Sequence, residues 1–406
     1  MGSRREFLKS VAAAGALAAA SRMGAMSKRA KKTGRVVVVG AGAFGGWTAL
    51  YLLRAGAKVT LIDAWGPGNA RASSGGETRV IRAVYGAQPI YVQMAARSLE
   101  LWREHEQRWQ RRLFQQTGVL WMVSGGQTYV EDSLPLLRKS RIEYEVLSLA
   151  AAKKRYPQID LAGVQSVYLE NQAGYITARL ACEAVMESFV AEGGEYRQTW
   201  VQEPRLAGGE LSQITLADGS HVTADRFIFA CGPWLGQLFA ELAPLIKPTR
   251  QEVLFFGTPR GDARFDESNL PIWIEAGKPI SFYGIPGNRW RGLKVADDQR
   301  GEVIDPTTME RAVNAQKVRE ARDFLSKRLP AMKDAPLVEA RVCQYENSPD
   351  NNFVIDRHPQ AANVWIAGGG SGHGFKHGPA IGEMLSAAVM EQRALPREFA
   401  LARFKS

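Results

Sequence analysis

The sequence predicts an α/β protein in which a parallel-sheet domain of nucleotide-binding type is interleaved with an antiparallel-sheet (α+β) domain. Three observations predict it. A β-branched run at Val36–Val39 leads through glycines into a helical pattern and a second strand, the opening of a βαβ unit. Two short apolar runs far downstream, Arg226–Ala230 and Val364–Ala367, stop close to glycine, as buried parallel strands do where they meet a ligand. Between them, residues 248–295 alternate apolar and aromatic with polar positions around turns such as Ile285-Pro286-Gly287-Asn288, the pattern of antiparallel sheet. A length of 406 residues with 45% hydrophobic composition suffices for the core of one large or two interleaved domains.

The amino terminus stands apart from that pattern. Ser3, Arg4, Arg5, Glu6, Phe7, Leu8 and Lys9 precede an apolar run at 11–20, and together they resemble a twin-arginine export signal; Ala18 and Ala20 suit cleavage after Ala20. The run is too short and too alanine-rich to serve as a stable membrane anchor. Residues 21–34 read as a flexible basic linker. The expectation is a periplasmic or secreted protein, exported folded with a tightly held cofactor. Most of the net charge of +11 lies in the first 35 residues, which hold nine Lys or Arg against one Glu. The remainder is close to neutral, so no phosphate-tracking surface and no nucleic-acid partner is expected. With three cysteines, at least one stands outside any internal disulfide.

The elements follow in order. A helical pattern runs from Ala43 to Arg54 and Gly56 closes it. Val59–Ile62 forms the second strand. Helical patterns recur near 90–110, 177–192, 307–328 and 377–392, a strand covers Gly118–Val123, and Leu211–Thr223 reads as a hairpin turning at Asp218-Gly219. Gly40, Gly42 and Gly45 form G-x-G-x-x-G between the first strand and helix, and Asp63 closes the second strand roughly 20 residues on. That is the Rossmann-type setting. Glycine lets the backbone turn and approach a pyrophosphate, the helix amino terminus offers N–H groups and partial positive charge, and the acid accepts from ribose hydroxyls. These glycines alone do not separate NAD from FAD.

Further motifs do. GAGAFGGWTALYLLRAGAKVTLIDA, then GETRVIRAVYG (76–86), FACGPWL (229–235), SFYGIP with RGLK (281–294), RVCQYENSPD (341–350) and WIAGGGSGHGFKHGP (365–379) occur in that order. Together they resemble the FAD-dependent amine oxidases of the D-amino acid oxidase superfamily, in the branch of monomeric sarcosine, N-methyltryptophan and pipecolate oxidases, over residues 35 to about 393. The resemblance implies FAD-dependent oxidation of a secondary or cyclic amino acid to an imine, with oxygen as acceptor and hydrogen peroxide as product. It also implies a monomer whose partners are a small amino acid and oxygen. The expected boundaries are 1–34 for signal and linker, 35–86, 150–230 and 335–398 for the FAD-binding domain, and 87–149 and 231–334 for the substrate-binding domain.

What the family implies for single residues is specific. Cys343 fits C-x-Y-x-x-x-P-D with Tyr345, Pro349 and Asp350, the context of a cysteine covalently bonded to flavin; a thiolate is the nucleophile such a bond needs. Its polar neighbours read as a loop. Cys182 and Cys231 read as structural. Lys294 matches a cation that activates oxygen by stabilising the developing superoxide. Arg82 and Lys376 match the pair that holds the substrate carboxylate, and Tyr283 an aromatic bounding the substrate pocket. Thr78 and Arg79 match a flavin-proximal segment, Ala43, Phe44 and Val201 the cofactor surface, and Gly370, Gly372 and Gly374 a backbone that passes close to the flavin. His373 is expected to shape or hydrogen-bond rather than to act in acid–base work, and no metal is expected. There are departures. Asp298 stands where sarcosine oxidases often carry a histidine, and can pair with a basic substrate or with Lys294. Ser74 and Gly75 replace histidines, and Glu346-Asn347 replace other residues. The same motifs also admit a dehydrogenase passing electrons to quinone or cytochrome, or a degenerate flavoprotein acting as a binding or partner subunit.

Overall fold

A computed structural model describes residues 34–206, 208–277, 282–287 and 291–405. The export-signal and linker assignment (residues 1–33) and the turn at Asn288 lie outside the described residues.

Two sheets organise Arg35–Ser406. The first has six strands in the order Val354–Arg357, Val364–Gly368, Arg226–Phe229, Arg35–Val39, Lys58–Asp63 and Glu195–Gln198. All neighbours are parallel except Val354–Arg357, which is antiparallel to Val364–Gly368. The β-branched run Val36–Val39 is buried on both faces, which is why it reads as a continuous apolar stretch rather than an alternating one. Helix Ala43–Arg54 packs against helices Gly378–Glu391 and Ala178–Ala191. Its crossing with Gly378–Glu391 is close enough that a Cβ on Gly382 would come within 2.7 Å of the Trp47 backbone. Gly56 takes φ +90° past the end of the first helix, a conformation open to glycine.

The second sheet has eight strands, in the order Leu337–Asn347, Lys247–Phe256, Leu293–Asp297, Phe282–Ile285, Ile272–Ala276, Val119–Val123, Ser166–Glu170 and Tyr144–Leu147. It is antiparallel as expected, with one exception: Ile272–Ala276 runs parallel to Val119–Val123, so the 248–295 block joins an earlier strand without a hairpin. A three-stranded sheet (Thr78–Ile81, Gly174–Thr177, Phe114–Gln115) completes the framework.

Other expectations moved at the edges. The helix expected over 307–328 begins at Ala315, because the Asp305 carboxylate accepts from the N–H groups of Thr307 and Thr308 and holds a turn there, and Asn314 caps the helix by accepting from Gln316 N. Helices Tyr129–Lys139 and Leu149–Arg155 were not expected; Pro135 interrupts the pattern of the first. The hairpin strands are Gln213–Thr215 and His221–Thr223, with Gly219 at φ +82° in the turn. No helix among the described residues is long and apolar enough to cross a membrane.

Candidate active site

The carboxyl ends of the parallel strands open into a cavity of about 310 Å³. Gly40 sits at φ +103°, and a Cβ there would meet the Ala230 carbonyl at 2.3 Å. A Cβ on Gly45 would meet the Gly40 carbonyl at 1.8 Å, so this glycine acts from beneath, letting the helix press against the turn. Gly42, Ala43, Phe44 and Val201 line the cavity, as do Gly370, Gly372 and Gly374. A Cβ on Gly372 would collide with the Tyr345 ring at 2.7 Å, and one on Gly374 with the Phe44 ring at 2.9 Å. The Asp63 carboxylate faces the same space; its two oxygens accept from the N–H groups of Ala41, Trp65 and Gly66. Burial pushes this carboxyl up and the three N–H donors pull it down. Oδ1 accepts from both Trp65 and Gly66, whereas Oδ2 accepts only from Ala41 and keeps a lone pair for a ribose hydroxyl. Trp65, Trp200 and Trp234 cluster at this end, with ring centroids 4.5 and 4.9 Å from Trp65. A channel with ribose acceptors and apolar rings at one end, glycines in the middle and cations at the other fits FAD. When bound, FAD supplies the two-electron acceptor of the family's reaction.

At the far end of the cavity the side chains come from distant segments. Arg79 donates to the Ser73 and Thr78 carbonyls at 2.7 and 2.9 Å and reaches the Cys343 sulfur at 3.4 Å. Lys294 donates to the same Thr78 carbonyl at 3.0 Å and sits 5.4 Å from the centre of the Tyr283 ring. Thr78, Arg79, Lys294, Tyr283 and Cys343 are thus brought together. Of these, Arg79 lines the cavity itself, and the others stand around it. Lys294 is 1% exposed on strand Leu293–Asp297, not a solvated strand lysine, and burial followed by Arg79 lowers it to about 7.

Cys343 departs from its expected place. It lies inside the 11-residue strand Leu337–Asn347, opposite Gln251, and not in a loop. The polar residues that read as turn-formers alternate along a pleated strand, which carries Cys343 and Tyr345 at the two-residue spacing of one face. No disulfide joins the three cysteines. Cys182 is buried and pushed up to about 12, and Cys231 is likewise pushed up by burial.

Arg82 and Lys376 converge on Tyr85. The Arg82 guanidinium lies 4.6 Å from the centre of that ring, and Lys376 Nζ donates to its hydroxyl at 2.8 Å. Tyr85, within the motif at 76–86 but not among the expected site residues, also meets His377 Nε2 at 2.8 Å and His373 Nδ1 at 3.2 Å. His373 reaches the Asn351 carbonyl through Nε2 at 3.0 Å, a hydrogen-bonding role. Glu170, also unforeseen, is buried and accepts from Ala83 N and Trp121 Nε1, both at 2.7 Å, fixing the backbone beside Arg82. Asp298 does not pair with Lys294. Its carboxylate accepts from the Tyr345 hydroxyl at 3.2 Å. Its surface is open, yet protein rings it; this surrounding pushes the carboxyl up, while Arg82, the Tyr345 bond and Lys376 pull it down. Glu346 is buried in the cavity wall and accepts from Ser73 Oγ at 2.6 Å and Gly370 N at 3.3 Å. Among the described residues, Arg79, Arg82, Lys294 and Lys376 form no ion pair within 4.0 Å.

A dinucleotide channel that ends in unpaired, deeply placed cations belongs to a flavoprotein redox enzyme. Residues 35–388 match the DAO family, FAD dependent oxidoreductase, and the chain belongs to it. It is 32% identical over 358 residues to a monomeric sarcosine oxidase of Bacillus sp. (strain NS-129), covering 86% of this chain and 91% of that one. It is 27% identical over 380 residues to N-methyl-L-tryptophan oxidase of Yersinia pestis (strain Pestoides F), covering 91% and 99%. Among solved structures, L-proline dehydrogenase from P. horikoshii shares the fold with a TM-score of 0.80 at 22% identity, over 91% of this chain and 97% of that one. The chain is thus an FAD-dependent oxidoreductase whose relatives are amino acid oxidases.

Proposed function

We propose that this enzyme oxidises a small secondary or cyclic amino acid, of N-methyl or pipecolate-like type, to an imine, with oxygen as acceptor and hydrogen peroxide as product. The observation that carries the reading is the meeting of Arg82 and Lys376 on Tyr85, two basic side chains with no acid within ion-pair distance. A carboxylate supplies the missing charge: Arg82 binds it through its guanidinium fork and Lys376 as a point charge. Tyr283 and Tyr345 bound the space beside it, so that binding energy goes into holding the amine end in one orientation. Lys294, behind the cavity wall, stabilises negative charge developing on oxygen. Among the described residues no ion pair within 4.0 Å compensates its charge, which favours oxygen over quinone or cytochrome as acceptor.

Cys343 is the proposed point of covalent attachment for FAD, with the Arg79 guanidinium 3.4 Å from its sulfur. Attachment suits the proposed route, export by the twin-arginine signal as a monomer with its cofactor in place. Wild-type protein is expected to stay yellow after acid precipitation, and Cys343→Ser to give a colourless pellet; a yellow Cys343→Ser pellet rejects the linkage. Anaerobic bleaching of the flavin across N-methyl, cyclic and D-amino acids tests the substrate class. No bleaching by any secondary amino acid rejects the reading in favour of a non-catalytic flavoprotein.

A further inference from the structure

We propose that Lys376 receives the substrate as a neutral amine and takes the proton of its ammonium group, so that the amino acid reaches its oxidisable, unprotonated form by transfer inside the site. This rests on the carboxylate cradle described above. It also supplies something that cradle lacks, an acceptor for the proton that a zwitterionic amino acid carries in.

The geometry is that of an amine with two hydrogens. Lys376 Nζ donates to the Tyr85 hydroxyl and to the His373 carbonyl, both at 2.8 Å. Among the described residues no third acceptor lies within hydrogen-bond reach, although an ammonium carries three donors. Lys376 is 4% exposed, so water does not readily take the third place. The groups that face it are Tyr85, His373, His377, Arg82, Asp298 and Glu170. Both imidazoles are pushed down by burial and by Lys376 itself, His373 to about 3, so neither adds a charge at neutral pH. Arg82 does, and it repels a second cation across the same ring. The two acids are engaged elsewhere: Glu170 with Ala83 N and Trp121, Asp298 with Tyr345. Burial first, then Arg82, lower the proton affinity of Lys376 in the free site.

A bound carboxylate reverses this balance. Its negative charge beside Lys376 raises the proton affinity of that amine. The substrate ammonium, taken out of water into a site that already holds the guanidinium groups of Arg79 and Arg82, loses affinity for its proton. One N–H bond breaks on the substrate nitrogen and one forms on Lys376 Nζ, with no electrons exchanged. The new third hydrogen points a donor at the bound carboxylate.

The test measures protons, not turnover. Flavin-loaded protein is titrated at pH 8 with 2-furoate, a carboxylate without an amine, in calorimetry with two buffers of different ionisation enthalpy, and binding is followed by the change in flavin absorbance. Wild type is expected to take up close to one proton per site. Lys376→Arg, whose side chain stays charged, is expected to bind with none, and Lys376→Met likewise with no uptake. α-(Methylamino)isobutyrate, a zwitterion without an α hydrogen, is expected to bind wild type with no net proton exchange. Furoate binding without uptake in wild type overturns the inference and leaves the cradle standing; so does uptake that persists in Lys376→Arg. Absence of furoate binding overturns the cradle, and the inference with it. In turnover, kcat/KM of Lys376→Arg should keep rising roughly tenfold per pH unit up to the substrate amine's own pKa, where wild type reaches its plateau earlier.

Discussion

Lys294 sits within an apolar strand with its ammonium turned to the Thr78 carbonyl, 3.0 Å away. Burial and Arg79 lower it to about 7, against about 10.4 in an unfolded chain. Between these values the unfolded state holds a proton that the folded state lacks. Stability therefore rises with pH across that window and is lost as pH falls toward 7. Lys294→Met removes this dependence. The variant is expected to melt higher than wild type at pH 7, with its advantage shrinking by at most about 1.4 kcal/mol per pH unit toward pH 10, as read from urea midpoints. A variant that melts lower at pH 7 contradicts the buried-cation account. In function the direction reverses: stopped-flow mixing with oxygen should show reoxidation slowed on the order of 10²–10³-fold while anaerobic reduction changes little, since the cation acts on charge that appears only in the second half-reaction. The oxidation should also slow in wild type as pH rises above 7, where the ammonium is lost.

Elements carried most of what the sequence made legible, and the misses have local causes. The glycine turn was readable because backbone approach leaves a fixed spacing, and the structure confirms it where a side chain would overlap another backbone. Gly45→Ala places a methyl 1.8 Å from the Gly40 carbonyl, which neither backbone can yield. It is expected to cost more than about 3 kcal/mol and to lose FAD, read as a lower melting temperature and an absent flavin spectrum. Strand Leu337–Asn347 was misread as a loop because Gln344, Glu346 and Asn347, poor strand formers by composition, are buried there in specific hydrogen bonds. Lys294 is legible only through resemblance, since a strand lysine is ordinarily solvated. Asp298 was seen as a departure from the family, but its partner, Tyr345, lies 47 residues away and no local pattern encodes it.

At the scale of the whole molecule, the site is assembled from segments that local pattern cannot join. Lys376 and Tyr85 are 291 residues apart in sequence, and Cys343 and Arg79 are 264 apart. Resemblance to a family supplied the likeness of roles; only the fold supplies Tyr85 as the post between two cations. The proposed export belongs to this scale too. Replacing Arg4 and Arg5 by lysines is expected to move the flavoprotein from the periplasmic to the cytoplasmic fraction; unchanged fractionation rejects the signal.

Strand Leu337–Asn347 pairs with Lys247–Phe256, which pairs with Leu293–Asp297. With Cys343 bonded to the cofactor, as proposed above, the tether and Lys294 hang from the two strands that flank Lys247–Phe256 in one hydrogen-bonded sheet. Heat cannot slacken the one without parting the other, so the chromophore becomes a thermometer of the sheet. Flavin fluorescence should rise in the same narrow interval in which far-ultraviolet ellipticity collapses, and an earlier, separate rise in fluorescence would mean that the ladder opens locally first.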